Sequence, residues 1–431
     1  QRSLIHPGPC NSMLRFFHPY GIRTYYTMGK IEENREGSEF ERVKLDEKIR
    51  EAENYKDYLK NICVRRLQGA GITLSKDFDL NAQIEDIIPK VLLERAQKVK
   101  STAKVKEKLG KNLEKYKHQS LTKEEINQIL ECLNFEQDLL IERACIVFMY
   151  KKIKAKSTNL VVDANSIHDM ALQYLKKVNL ADNDMAKYLH YYRTDLRDSI
   201  ARSANIPIPY YGLDTLIKLS CGTPRTLLRL LKHAYSKQYF NTSKEPFVKG
   251  RLLKVESQQA GIENTYDWFF EENRIPNDVN GVMEAVKRLG GYLQNVRFSD
   301  LPPQCSINIF SVQEETLSSE ALRTLKMLEM YSYIVPHKDR RKKNADSKSS
   351  TYKLNTILIP KYELSLETRG NVEISKNDAE IILNPNRADE YEDFVRNKLK
   401  AYNFPFAAQK GIKKLAEATQ VQPTLFDDNG L

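Results

Sequence analysis

Ser220-Cys221-Gly222-Thr223-Pro224-Arg225-Thr226-Leu227-Leu228 is the stretch on which the reading of the fold turns. Thr223 suits a helix N-cap and Pro224 the first helical position, where a missing N–H costs nothing. Leu227, Leu228, Leu230, Leu231, Ala234 and Tyr235 then make a heavily apolar helix. Arg225 falls in the first turn, where the helix dipole disfavours a cation. An anion at this end would reverse that penalty, with amides and guanidinium gripping one phosphate together. The plain alternative is an arginine that points to solvent.

Upstream the pattern is helical from about Glu41. Thr122 and Glu125 fit a capping box, followed by Ile126, Ile129, Leu130 and Leu133 at helical spacing. Between Glu94 and His118 lies a lysine-rich segment (among others Lys98, Lys104, Lys106, Lys108 and Lys111), either a solvated linker or a nucleic-acid-facing helix. Near the start, Gly21 to Met28 has strand composition.

Downstream, Asn241 to Pro246 is turn-like, and Trp268 is the chain's one tryptophan. Asp278 can cap a helix bearing Val279, Val282, Met283, Val286 and Leu289. Cys305 to Val312 alternates Ile307 and Ile309 with polar residues, as a half-buried strand does. Ser318 starts a helix with Leu322, Leu325 and Leu328 inward. A strand at Tyr331–Val335, a polar basic loop and a strand with Tyr352 and Leu354 follow. Val372 and Ile374 look extended, Ser375 with Asp378 opens another helix, and a short basic helix follows Phe406. Helix, strand, helix, strand, charged loop, strand is the order of a winged-helix module, with His337 to Ser350 as the wing.

The 431 residues carry 68 Lys+Arg against 57 Asp+Glu, a net charge of +11, which favours an anionic partner. An apolar share of 41% supports a packed core and excludes wholesale disorder. The longest apolar run, Ala144 to Tyr150, is far short of a membrane span. Six dispersed cysteines argue against a disulfide scaffold or a zinc site, and point to a reducing, cytoplasmic setting. The seven histidines form no nucleophile–base grouping, and no internal repeat is evident.

The string Ser220-x-Gly222-x-Pro224-Arg225 ahead of an apolar helix resembles the sensor-2 segment of AAA+ ATPases of the origin-recognition-complex-like branch. In that branch the lid leads directly into a winged-helix domain, the order read here. Tyr352-Lys353-Leu354-Asn355, with Ile359-Pro360 and Arg369-Gly370, is similar to the end of that domain in prokaryotic members. The resemblance implies a mainly α fold with a small α+β part. Residues 1–80 would be the end of an AAA+ α/β core, 81–245 a helical lid, 262–385 the winged helix, and 386–431 a helix and flexible tail. It implies ATP, with magnesium where a core is present, Arg225 reaching the terminal phosphate beside Gly222 and Thr223, and assembly into homo-oligomers. The chain departs from the family in having no Gly-x-x-x-x-Gly-Lys-Ser/Thr. ATP hydrolysis by this chain alone is therefore not expected. The start at Gln1 favours a core lying upstream over one that has been lost.

The wing carries Lys338, Arg340, Arg341, Lys342, Lys343 and Lys348 against Asp339 and Asp346. Such a loop can follow a phosphate backbone, and the helix before it, with Arg323 and Lys326 on its polar face, can enter a major groove of double-stranded DNA. The alternative is a non-enzymatic adaptor whose winged helix docks a protein partner. Gln422-Pro423-Thr424-Leu425-Phe426 resembles the peptide by which bacterial proteins bind the sliding clamp, with Leu425 and Phe426 filling a pocket and Gln422 anchoring by hydrogen bonds. Asp427, Asp428 and Asn429 do not supply the further aromatic of the archaeal and eukaryotic form. A tail packing back on the fold is the alternative.

Overall fold

A computed structural model describes residues 35, 53–86, 89–98, 102–248, 250–275, 281–305, 307–337 and 349–403. The expected strand at Gly21–Met28, the wing between Lys338 and Lys348, and the helix after Phe406 lie outside these residues. The described chain is mainly helical with one small sheet, as the residue patterns require.

Helices α1 (Tyr55–Gly69), α2 (Pro89–Lys98), α3 (Ala103–Leu113), α4 (Lys123–Cys132), α5 (Leu139–Lys154), α6 (Leu160–Leu175) and α7 (Asp184–Ser203) come first. The capping box at Thr122 is formed: its N–H donates to Glu125 Oε2 at 2.8 Å, and the Glu125 N–H donates back to Thr122 Oγ1 at 3.2 Å. The apolar run at Ala144–Tyr150 lies in α5, which is buried nearly all round, ionic groups included. Glu142 takes the Lys106 ammonium at 3.0 Å. Burial pushes the Arg143 guanidinium down to about 10, and it donates to the Ser199 carbonyl at 3.3 Å and to the Ser203 hydroxyl. The lysine-rich stretch is divided between α2 and α3, and Lys106, Lys108 and Lys111 pair with Glu142, Asp300 and Glu107. Lys106 is thereby drawn into the fold against buried Glu142, whereas the Lys111–Glu107 pair stays on the surface of α3.

Helices α8 (Leu213–Leu219), α9 (Pro224–Thr242), α10 (Val255–Glu272) and α11 (Val282–Arg297) follow. A Cβ on Gly261 of α10 would lie 2.7 Å from Ala234 Cβ, so α9 and α10 cross in near-backbone contact that needs glycine. The α11 start departs from expectation. Gly281, at φ +64°, occupies the N-cap position, and Asp278 lies outside the described residues.

The sheet joins β1 (Ile309–Val312), β2 (Ile334–Pro336), β3 (Ser350–Leu354) and β4 (Val372–Glu373) in the order β2-β3-β1-β4. β1 pairs antiparallel with β3 and parallel with β4, and β2 pairs antiparallel with β3. Helix α12 (Ser319–Met330) lies between β1 and β2, and α13 (Lys376–Leu383) and α14 (Tyr391–Tyr402) close the chain. Contrary to its alternating pattern, β1 is buried at all four positions. The polar positions are accommodated by hydrogen bonds: Asn371 donates to Ser311 Oγ at 2.6 Å, and Asn308 to the Ser365 carbonyl at 2.6 Å. Ser318 and Ser375 cap α12 and α13 through their hydroxyls as read.

Two main groups of buried side chains result. One spans α3 to α7, with Leu109, Ile129, Met149 and Leu189. The other gathers Leu59 and Cys63 of α1, Leu227 and Leu230 of α9, and the whole β1–β4 region. In residues 53–80, expected to close an α/β core, the described structure is α1 and a following loop. An ionic joint links the two groups. Arg297 of α11 donates to Asp198 at 2.7 Å and Asp195 at 3.1 Å on α7, with Arg297 and Asp198 almost fully buried. The Glu363 carbonyl also accepts from Arg297, and the Glu363 carboxylate pairs with Arg202.

Candidate functional site

The turn before α9 is built by two successive left-handed residues. α8 stops at Leu219, and the Ser220 hydroxyl donates to the Ile217 carbonyl at 2.7 Å. Cys221 at φ +52° and Gly222 at φ +75° then reverse the chain within four residues. Glycine tolerates that region freely and cysteine does not, so the turn is held from outside. The Tyr55 hydroxyl of α1 donates to the Gly222 carbonyl. Thr223 stands at the N-cap and Pro224 at the first helical position as expected. The Thr223 hydroxyl, however, makes no capping bond. Its carbonyl begins the helix, accepting from Thr226 at 3.1 Å and Leu227 at 3.3 Å.

Arg225 projects from the first turn with 59% of its side chain exposed. Its Nη2 lies 2.7 Å from Glu272 Oε1 at the end of α10, and its guanidinium 5.2 Å from the Trp268 ring centre. Arg229, one turn further, stands 4.9 Å from the same ring. The pairing is on the surface, so Arg225 is neither buried in the core nor idle in solvent. Glu272 answers the dipole penalty that the sequence presents. The neighbouring His233 has its basicity lowered by burial and by the cations Arg229 and Lys232. Sequence reasoning missed Arg229, Trp268 and Glu272. The i, i+4 spacing of the two arginines was visible, but their meeting with α10 depends on the Gly261 crossing.

The residues expected on DNA are divided. Arg323 is exposed on α12. Lys326, read with Arg323 on the helix's polar face, is bound at 2.5 Å to Glu314, which also accepts from the Tyr352 hydroxyl at 2.6 Å. Burial opposes ionisation of Glu314, but Lys326 and the Ser350 and Tyr352 hydroxyls outweigh it and hold the carboxyl below its ordinary value. Lys326 therefore anchors α12 to the base of the β2–β3 hairpin. Lys338, Arg340, Arg341, Lys342 and Lys343 lie outside the described residues, as do Gln422, Leu425 and Phe426.

Among the described residues, no group of three or more His, Cys, Asp or Glu could hold a metal ion. Exposed Arg225 and half-buried Arg229 bring two guanidiniums to the surroundings of Trp268, the donor type that engages carboxylates and phosphates. Among the described residues, no helix is long and apolar enough to cross a membrane.

A family model described as ORC-CDC6-like matches residues 17–374. No curated protein and no solved structure matches the chain. The family match takes in the Gly222–Arg225 turn, the α9–α10 pair and the sheet through β4. The chain belongs to the ORC-CDC6-like family, whose members are origin-recognition-like AAA+ proteins.

Proposed function

We propose that the chain is the lid and winged-helix portion of an ATP-regulated, DNA-binding AAA+ protein. Residues 81–245 form the lid and 262–385 the winged helix. Gly222 and Thr223 shape the sensor-2 turn, and Arg225 contacts the terminal phosphate. These 431 residues hold no Gly-x-x-x-x-Gly-Lys-Ser/Thr, so the proposed part of this chain is to sense the phosphate and not to hydrolyse ATP by itself. α12 enters the major groove with Arg323 leading. The loop from Lys338 through Arg340, Arg341, Lys342 and Lys343 follows the phosphate backbone.

The observation that carries this reading is the unit α12–β2–loop–β3. A capped helix leads into an antiparallel pair whose connection holds a run of cations, in a chain of the ORC-CDC6-like family. The tying of Lys326 to Glu314 favours a second reading, in which α12 is a scaffold face for a protein partner. Fluorescence anisotropy of a labelled duplex at low salt separates the two. Saturable binding, weakened by Arg323→Ala, supports the first. No binding into the tens of micromolar sinks it and leaves the scaffold.

A further inference from the structure

The nucleotide reading gives Arg225 a phosphate and leaves Arg229, Trp268 and Glu272 without a role. Helix α9 contains no Asp or Glu along its whole length. Arg225 and Arg229 stand at i, i+4, where like charges repel. Both guanidiniums lie about one ring-contact distance from Trp268, at 5.2 and 4.9 Å, and Lys232 adds an exposed cation one turn on. Glu272 is paired with Arg225. The one ion pair that the structure sets against these two guanidiniums among the described residues is Arg225–Glu272.

A carboxylate has two oxygens and one charge. A terminal phosphate has three oxygens and up to two charges, so it can span both guanidiniums where Glu272 engages one. The α9–α10 crossing at Gly261 and Ala234 is in near-backbone contact. Glu272 and Arg225 are 44% and 59% exposed, so their pair opens by side-chain rotation alone.

We propose that Arg229 is a second phosphate contact beside Arg225, and that Glu272 is an internal competitor which a nucleotide's phosphate chain must displace. The inference rests on the assignment of Arg225 to phosphate. It adds a device: the arginine is held in place by its ion pair until an anion that binds it more strongly than one carboxylate arrives.

Trp268 is the chain's one tryptophan, so its emission reports this cluster directly. The full chain is titrated with inorganic triphosphate, ATP and a short DNA duplex, at ionic strength held constant with sodium chloride. Triphosphate and ATP are expected to change the emission saturably. Glu272→Gln should lower the half-saturating concentration by about threefold or more, the scale of an exposed ion pair. Arg229→Gln should raise it by about tenfold, the scale of a lost charge-assisted hydrogen bond. If Arg225→Gln weakens the response while the Glu272 and Arg229 variants match wild type, the proposal fails and the Arg225 assignment stands. If neither triphosphate nor ATP gives a saturable change, both fail. If the duplex alone saturates the signal, the cluster serves a nucleic-acid backbone and the nucleotide assignment is overturned.

Discussion

Arg225 occupies a position that the helix backbone makes unfavourable for a cation, and Glu272 is the local compensation. Replacing Glu272 alone leaves that cation uncompensated at the surface. The Glu272→Gln protein should therefore lose no more than about 1 kcal/mol of stability, which chemical denaturation can resolve. Lys326 belongs to the fold as much as to any ligand. Lys326→Ala should cost on the order of 1 kcal/mol through the loss of its bond to Glu314, whereas Arg323→Ala should leave the unfolding midpoint unchanged. Acid acts on the same region. Glu314 and Glu380 are both held below the ordinary glutamate value of 4.5. In each case burial opposes the shift. Lys326 and hydroxyls outweigh it for Glu314, and the backbone N–H and hydroxyl of Ser318 together with Asn384 do so for Glu380. Their contribution is complete above 4.5 and lost as pH falls through the lowered values. Glu380→Gln should flatten that acid-side loss in a pH series of melting temperatures.

At the scale of elements, much of the chain is legible because local signals agree. The boxed Thr122, the caps at Ser318 and Ser375 and the Pro224 start each place a helix within a residue of where it lies. What the pattern misreads depends on tertiary partners. β1 alternates like a half-wet strand, yet Asn371 and the Ser365 carbonyl let its region bury polar groups. Nothing local shows that Lys106 and Lys108 of α3 are to be met by Glu142 and Asp300 from distant elements. The same holds for the candidate site: the Gly222–Arg225 turn is readable, but Trp268 and Glu272 reach it only across the Gly261–Ala234 contact. Gly261→Ala should force α9 and α10 apart and destabilise the chain by about 1–3 kcal/mol, read as a lower midpoint in urea.

Across the whole molecule, the α3–α7 group and the sheet-bearing group are joined through Arg297, Asp195 and Asp198. Removing one partner leaves a charge stranded in the interior. Asp198→Ala should destabilise by about 3–5 kcal/mol, measured by calorimetry. This joint ties the α3–α7 group to the group that holds α9, α12 and the hairpin, the parts proposed as lid and winged helix. Whether those modules grip DNA is the central claim. The most direct test is the salt dependence of duplex affinity, compared between wild type and the Arg340→Ala, Arg341→Ala, Lys342→Ala, Lys343→Ala variant. A wild-type log–log slope that becomes shallower by roughly 3–4 in the variant, about 0.9 per lost phosphate contact, is the predicted result. Equal slopes for the two proteins, or no duplex binding by wild type at low salt, would contradict the account.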